Sequence, residues 1–96
     1  MKPQIVKSEK QDGKRYIVLS GALIFKYHKE LFAIFNEINQ EADAIELQLD
    51  RPAGIDLSFL QMLMALKKEK AINVSASLQE ADEVLIKRTG FGALFK

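Results

Sequence analysis

The chain has 96 residues, no cysteine and a nearly balanced charge, with 14 basic and 13 acidic residues and a net charge of +1. This length fits one domain, which we place over residues 1–96. The charge balance argues against nucleic-acid binding, which normally needs a basic face, and the lack of cysteine excludes disulfides and thiolate metal sites. No apolar run approaches the roughly 18 residues that a membrane helix needs. We therefore expect a cytoplasmic protein that binds no nucleic acid and does not insert into a membrane.

The first half of the sequence predicts a β-hairpin followed by a helix. Residues 5–6 (Ile-Val) and 15–19 (Arg-Tyr-Ile-Val-Leu) are typical of short strands, and residues 11–14 between them have the Asp-Gly chemistry of a hairpin turn. From residue 25 to residue 40, apolar side chains recur at steps of three and four, which indicates a helix with one apolar stripe. The stripe comprises Ile24, Tyr27, Leu31, Ile34, Phe35 and Ile38.

The second half alternates strands with helices. The predicted elements are, in chain order, a strand over Ala44–Asp50, a helix over residues 57–70, a strand over residues 72–77 and a helix over residues 81–89. Asp56 is a good N-cap for the first of these helices, and Gly90 is a good C-cap for the second. This alternation after an initial hairpin implies an α/β fold. We predict a mixed β-sheet of about four strands packed by three helices, in the order β-β-α-β-α-β-α.

Four stretches of the sequence together resemble a known family. They are residues 18–21 (Val-Leu-Ser-Gly), 45–50 (Ile-Glu-Leu-Gln-Leu-Asp), 55–66, and 85–91 (Leu-Ile-Lys-Arg-Thr-Gly-Phe). In this order and spacing they resemble the STAS domain of the anti-sigma factor antagonists, also called anti-anti-sigma factors. The resemblance covers nearly the whole chain and implies a STAS-like single domain. It also implies a non-catalytic regulator in bacterial transcription and signalling, which binds an anti-sigma factor of the serine-kinase type.

Ser58 lies where the family carries its phosphorylated Ser or Thr. The family usually has Asp-Ser-Ser/Thr-Gly-Leu at this point, and Asp56 and Ser58 stay in register with that motif. Leu57 replaces the first Ser, and Phe59 replaces the Gly, where its bulk would hinder a kinase. The resemblance implies that phosphorylation of Ser58 releases the partner, because a buried phosphate without a counter-charge costs several kcal/mol. The alternative is that Ser58 only assists helix capping or stays solvated.

The helix predicted after Asp56 is apolar nearly all round, with Ser58 and Gln61 as its only polar residues between positions 57 and 66. A surface helix normally shows a single apolar stripe, so only some of these apolar residues can face the core. We predict that Leu60, Leu63, Met64 and Leu66 are buried, and that Leu57, Phe59 and Met62 form an exposed apolar patch that binds another protein. The predicted partner-binding residues are Gly54, Asp56, Leu57, Ser58, Phe59 and Met62.

Two functions remain open at this stage, and both are protein binding. One is the switchable anti-sigma factor antagonist, and the other is a constitutive accessory subunit of a transport or signalling complex, in which Ser58 is never phosphorylated. We expect no enzyme, no cofactor and no metal, because His28 is a lone histidine and no catalytic cluster can be placed. The family commonly adds one more strand and helix after the segment that ends here at Lys96. The resemblance therefore predicts an open sheet edge, through which the chain could form a homodimer.

Overall fold

The structure, a computed structural model, describes residues 2–41, 44–69 and 71–95. Its strands are β1 (Gln4–Gln11), β2 (Lys14–Ser20), β3 (Ala22–Leu23), β4 (Ala44–Asp50), β5 (Gly54–Ile55) and β6 (Ala71–Ser77). Its helices are α1 (His28–Glu41), α2 (Leu57–Glu69) and α3 (Glu80–Thr89), with short 3₁₀ helices at Phe25–Tyr27 and Phe91–Phe95. The predicted α/β class and order of the main elements are confirmed.

The main sheet has the strand order β1-β2-β4-β6. β1 pairs antiparallel with β2, whereas β2, β4 and β6 are parallel. Each parallel step is made through a helix, and right-handed crossovers that advance in one direction place α1 and α2 on the same face of the sheet. The predicted mixed sheet of four strands with three helices is therefore present.

Side chains along β2, β4 and β6 alternate between buried and solvent-accessible, so one face of the sheet packs into the core. The buried strand residues are Ile17, Leu19, Ile45, Leu47, Leu49, Ile72 and Val74. They pack against apolar residues of all three helices, among them Leu31, Leu63 and Ile86. The opposite face is polar: Asn73 donates a hydrogen bond to Glu46 at 2.9 Å, and the Lys14 ammonium lies 3.7 Å from the same carboxylate.

A second, two-stranded sheet lies where the sequence predicts no strand. β3 pairs in parallel with β5, Ala22 against Gly54 and Leu23 against Ile55. Gly21 turns the chain from β2 into β3 with a φ of +91°, and a Cβ at this position would lie 2.1 Å from the carbonyl oxygen of Lys2. Only glycine fits that close approach. The small sheet places the segments that precede α1 and α2 side by side.

The predicted boundaries differ from the observed ones mainly at the ends. The first strand covers Gln4–Gln11 rather than residues 5–6, because pairing with β2 orders polar residues that lack an apolar pattern. The helix predicted from residue 25 begins as a 3₁₀ turn at Phe25–Tyr27 and becomes α-helical at His28. Gly90 ends α3 in a left-handed conformation with φ 78°, as predicted. Lys70, the predicted last residue of the second helix, lies outside the described residues.

Candidate protein-docking site at the start of α2

Asp56 caps α2 and joins it to the segment before α1. Its Oδ1 accepts the backbone N–H of Phe59 at 3.2 Å, and its carbonyl oxygen accepts the N–H of Leu60 at 3.3 Å. The bond from the Asp56 side chain satisfies the Phe59 N–H, which has no partner within the helix. The bond from the Asp56 carbonyl oxygen is the first i→i−4 bond of α2. Oδ2 accepts the backbone N–H of Phe25 at 2.7 Å. The predicted N-cap is confirmed, and the same carboxylate also holds a residue 31 positions earlier in the chain.

The carboxylate of Asp56 is held in its charged form by these donors. Partial burial by itself raises the pKa of Asp56. Hydrogen bonds from the Ser58 hydroxyl and from the backbone N–H groups of Phe25, Phe59 and Ser58 outweigh this effect, so the pKa lies below its usual value. Asp56 is therefore a fixed negative charge at the start of α2.

Ser58 is part of this hydrogen-bonded cluster. Its hydroxyl donates to Asp56 Oδ1 at 2.6 Å, and the side chain is half-buried. A phosphate on Ser58 Oγ would remove the donated proton and place up to two negative charges beside the Asp56 carboxylate. A modification of this hydroxyl would thus act directly on the group that holds both Phe25 and the start of α2.

Two large apolar side chains lie exposed beside the cluster. Leu57, the first residue of α2, is 43% exposed, as predicted, and Phe25 is 61% exposed. The ring of Phe25 stacks on the ring of His28, with centroids 4.5 Å apart, and the His28 Nδ1 lies 2.8 Å from the Phe25 carbonyl oxygen. His28 thus supports Phe25 in its exposed position.

Phe59 is fully buried, so its predicted exposure is wrong. Its exposed fraction is 0%, and its ring centroid lies 6.1 Å from that of Phe35. The reason is helical spacing: Phe59 precedes Leu63 by four residues and Leu66 by seven, which places it on the core stripe of α2. Phe59 therefore cannot contact a partner, and it anchors the first turn of α2 in the core.

Met64 differs from its prediction in the opposite direction to Phe59. It is predicted to be buried, but it is 39% exposed. Met64 follows Leu57 by seven residues, so the two side chains share the outward stripe of α2. Leu60, Leu63 and Leu66 are buried, as predicted.

Met62, which is predicted to be exposed, is instead half-buried, because it packs against the core and lines a groove between α1 and α2. The groove has a volume of about 160 Å³ and is lined by Phe32, Phe35, Asn36, Met62, Ala65, Leu66 and Glu69. Phe32 projects from α1 at its rim and is 65% exposed. Met62 follows Ser58 by four residues on the same side of α2. The groove therefore begins about one helical turn after Ser58 and extends along α2 to Glu69.

Gly54 and Ile55 form the strand that leads into the site. Gly54 is half-buried in β5, where its backbone pairs with Ala22. The backbone N–H of Ile55 donates to the Asp82 carboxylate of α3 at 3.2 Å. Asp82 is buried, and desolvation raises its pKa above the usual value, while the single bond from Ile55 offsets this only in part. Asp82 thus ties α3 to the segment before the cap.

Phe25, Phe32 and Asp82 also belong to this region, although none of the three is predicted as a site residue from the sequence. Phe32 carries a readable signal, because it falls outside the apolar stripe of its own helix. Phe25 and Asp82 are placed by hydrogen bonds to residues 31 and 27 positions away. Nothing in the local sequence indicates those contacts.

No protein-family model and no curated protein matches this sequence. Within residues 2–41, 44–69 and 71–95, no group of three or more histidine, cysteine or acidic side chains is arranged to hold a metal ion. In the same part of the chain, no helix combines the length and apolar character needed to cross a membrane.

Proposed function

We propose that this chain is a non-catalytic protein-binding module that docks a partner protein at the start of α2. The observation that supports this most directly is the pair of exposed apolar residues, Leu57 and Phe25, on either side of the Asp56–Ser58 hydrogen bond. Exposed apolar groups that a fixed polar cluster holds in place are typical of protein interfaces. We name Phe25, Asp56, Leu57, Ser58 and Met62 the docking surface.

The groove beside Met62 extends this surface. An apolar side chain of a partner would fit between Phe32 and Met62, and burial of these two side chains would add to the binding free energy. Asp56 at the centre offers a fixed negative charge to a cationic group of the partner. The resemblance to the STAS domain adds a partner class, an anti-sigma factor of the serine-kinase type.

Phosphorylation of Ser58 would work as a switch within this proposal. The phosphate would repel the Asp56 carboxylate, which lies at hydrogen-bond distance from Ser58 Oγ. The contact between Asp56 and the Phe25 N–H would loosen as a result. The partner would thus meet a charged phosphate beside its apolar contact surface, and Phe25 would no longer be held in position for binding.

A constitutive accessory subunit is the second candidate function. It is favoured by the position of Ser58, which is half-buried. The Ser58 hydroxyl already donates a hydrogen bond to Asp56, the residue that caps α2. In that case the docking surface is a permanent interface, and Ser58 is never modified.

Substitution of Leu57 tests the docking surface. Immobilised wild-type chain and the variants Leu57→Asp and Val84→Asp would be compared for proteins retained from a cell extract, with quantitative mass spectrometry as the readout. Val84 is the matched control, because it is 47% exposed and lies on α3 rather than on α2. We expect a partner whose retention falls at least about tenfold with Leu57→Asp, which is 1.4 kcal/mol in binding, and stays unchanged with Val84→Asp. Equal retention by all three chains would refute the proposal.

The purified partner then separates the two candidate functions. Incubation with the partner and ATP, followed by intact-mass measurement, detects a phosphate on the chain, and Ser58→Ala shows whether it is on Ser58. A phosphate on Ser58, together with weaker binding by Ser58→Asp than by Ser58→Ala, supports the switch. An unmodified chain with equal binding by both variants supports the constitutive subunit.

A further inference from the structure

The two edges of the main sheet are unequally protected against pairing with another strand. β1 forms one edge and carries Lys7, Glu9 and Lys10, with a register shift between Ile5 and Lys7. Charges and bulges of this kind discourage edge-to-edge association. β6 forms the other edge with the sequence Ala-Ile-Asn-Val-Ser-Ala-Ser, seven residues without charge or proline. It pairs with β4 in an unbroken register.

The direction of the backbone groups of β6 follows from one hydrogen bond. The carbonyl oxygen of Ser77 accepts the N–H of Arg51, which directly follows β4, at 2.8 Å. Successive residues of a strand direct their backbone groups to alternate sides, so Ala71, Asn73 and Ser75 also face β4. Ile72, Val74 and Ala76 therefore direct their N–H and C=O groups outward. These six groups make no hydrogen bond to any other residue within the described ranges.

We propose that the β6 edge pairs antiparallel with the β6 edge of a second copy of this chain, about a two-fold axis at Val74. Val74 is the midpoint of the strand, so this register pairs all seven residues. It also gives each outward N–H a carbonyl partner, since Val74 bonds Val74, and Ile72 bonds Ala76 of the other copy. The two sheets then form one continuous sheet with six new backbone hydrogen bonds.

The side chains of β6 favour a second copy over an unrelated strand. In the proposed register, Ile72 lies opposite Ala76 on the helix side, and a large residue beside a small one packs without a clash. Ala76 is exposed on that side. On the polar face, Asn73 lies opposite Ser75, and the absence of charge removes like-charge repulsion across the two-fold axis. The pairing involves none of the docking surface.

Cysteine cross-linking tests both the pairing and its register, because the chain has no native cysteine. Asn73 and Ser75 of opposite copies would form a non-hydrogen-bonded pair with Cα atoms about 4.5 Å apart, which suits a disulfide. We expect a mixture of Asn73→Cys and Ser75→Cys chains to give a disulfide-linked dimer that contains one of each. Each variant alone is the matched control, and neither should cross-link in this register. Absence of the mixed dimer, or equal cross-linking by a single variant, would overturn the proposal.

Ala76→Pro provides a second test, on the uncross-linked chain. The N–H of Ala76 faces outward, so proline removes no hydrogen bond to β4 and is compatible with an edge strand. We expect wild-type chain to increase in mass with concentration in light scattering, and Ala76→Pro to stay monomeric with an unchanged circular dichroism spectrum. A monomeric wild type throughout the series, as for an edge that takes only a strand of a different protein, would contradict self-pairing.

Discussion

Leu57 and Phe59 lie two residues apart in the first turn of α2, and their side chains face opposite environments. Leu57 is 43% exposed, whereas Phe59 is completely buried against Phe35. Two residues along a helix rotate the side chain by more than half a turn, so one side of the turn meets the core and the other meets water. The first turn of α2 thus has a structural side, which faces the core, and a docking side, which faces water.

Asp56 lies at the boundary between these two sides. Its Oδ1 bonds the N–H of the buried Phe59, and its Oδ2 bonds the N–H of the exposed Phe25. A substitution on the structural side should therefore reduce stability, and one on the docking side should reduce binding. Asp56 alone should affect both.

The largest expected effect on stability is that of Phe59→Ala. Removing a fully buried phenyl ring leaves a cavity and costs about 3–5 kcal/mol. Leu57→Ala, its matched control, removes an exposed side chain and should change the free energy of unfolding by less than about 0.5 kcal/mol. Urea denaturation of both variants measures the difference. A similar loss from the two substitutions would mean that the first turn is not divided in this way.

Asp56 should show an intermediate effect. Asp56→Ala removes the cap of α2 and should cost about 1–2 kcal/mol of unfolding free energy. Asp56→Asn separates the two functions of the carboxylate, because asparagine caps helices about as well but has a single acceptor oxygen. We expect Asp56→Asn to recover most of the stability while the contact with the Phe25 N–H is lost.

Amide hydrogen exchange at Phe25 is the direct readout for that contact. Exchange should be faster in Asp56→Asn than in wild type, and the amide of Phe59 should stay protected. Unchanged exchange at Phe25 would show that its N–H does not depend on Asp56.

Regular elements and the cap could be predicted from the sequence because their signals are local. The alternation of Ala44–Asp50 and the cap by Asp56 depend on neighbours within a few residues. The predicted exposure of Phe59 is wrong because an apolar run at the start of a helix contains both core-facing and outward-facing residues. The spacing of Phe59 to Leu63 and Leu66 already places it on the core stripe, so this position was readable.

Other features of the site depend on contacts that local patterns do not contain. β3 and β5 have two residues each, and they form only because distant segments meet. The bonds from Phe25 to Asp56 and from Ile55 to Asp82 join residues that are far apart in sequence. Propensity and periodicity act over one or two turns, so they cannot indicate such pairs.

The smallest expected effect concerns Asp82. It is a difference in how stability changes with pH between the two carboxylates near Ile55, those of Asp82 and Asp56. A folded-state pKa above the unfolded value means that the folded chain binds the proton more tightly, so Asp82 contributes less stability as pH rises through its folded pKa. Asp56 has the opposite sign: its contribution is present above the unfolded pKa and is lost as pH falls through the lowered folded pKa. Urea denaturation from about pH 3 to pH 7 should therefore show Asp82→Asn gaining stability relative to wild type as pH rises, and Asp56→Asn losing it. Parallel curves for the two variants would mean that burial does not distinguish Asp82 from Asp56.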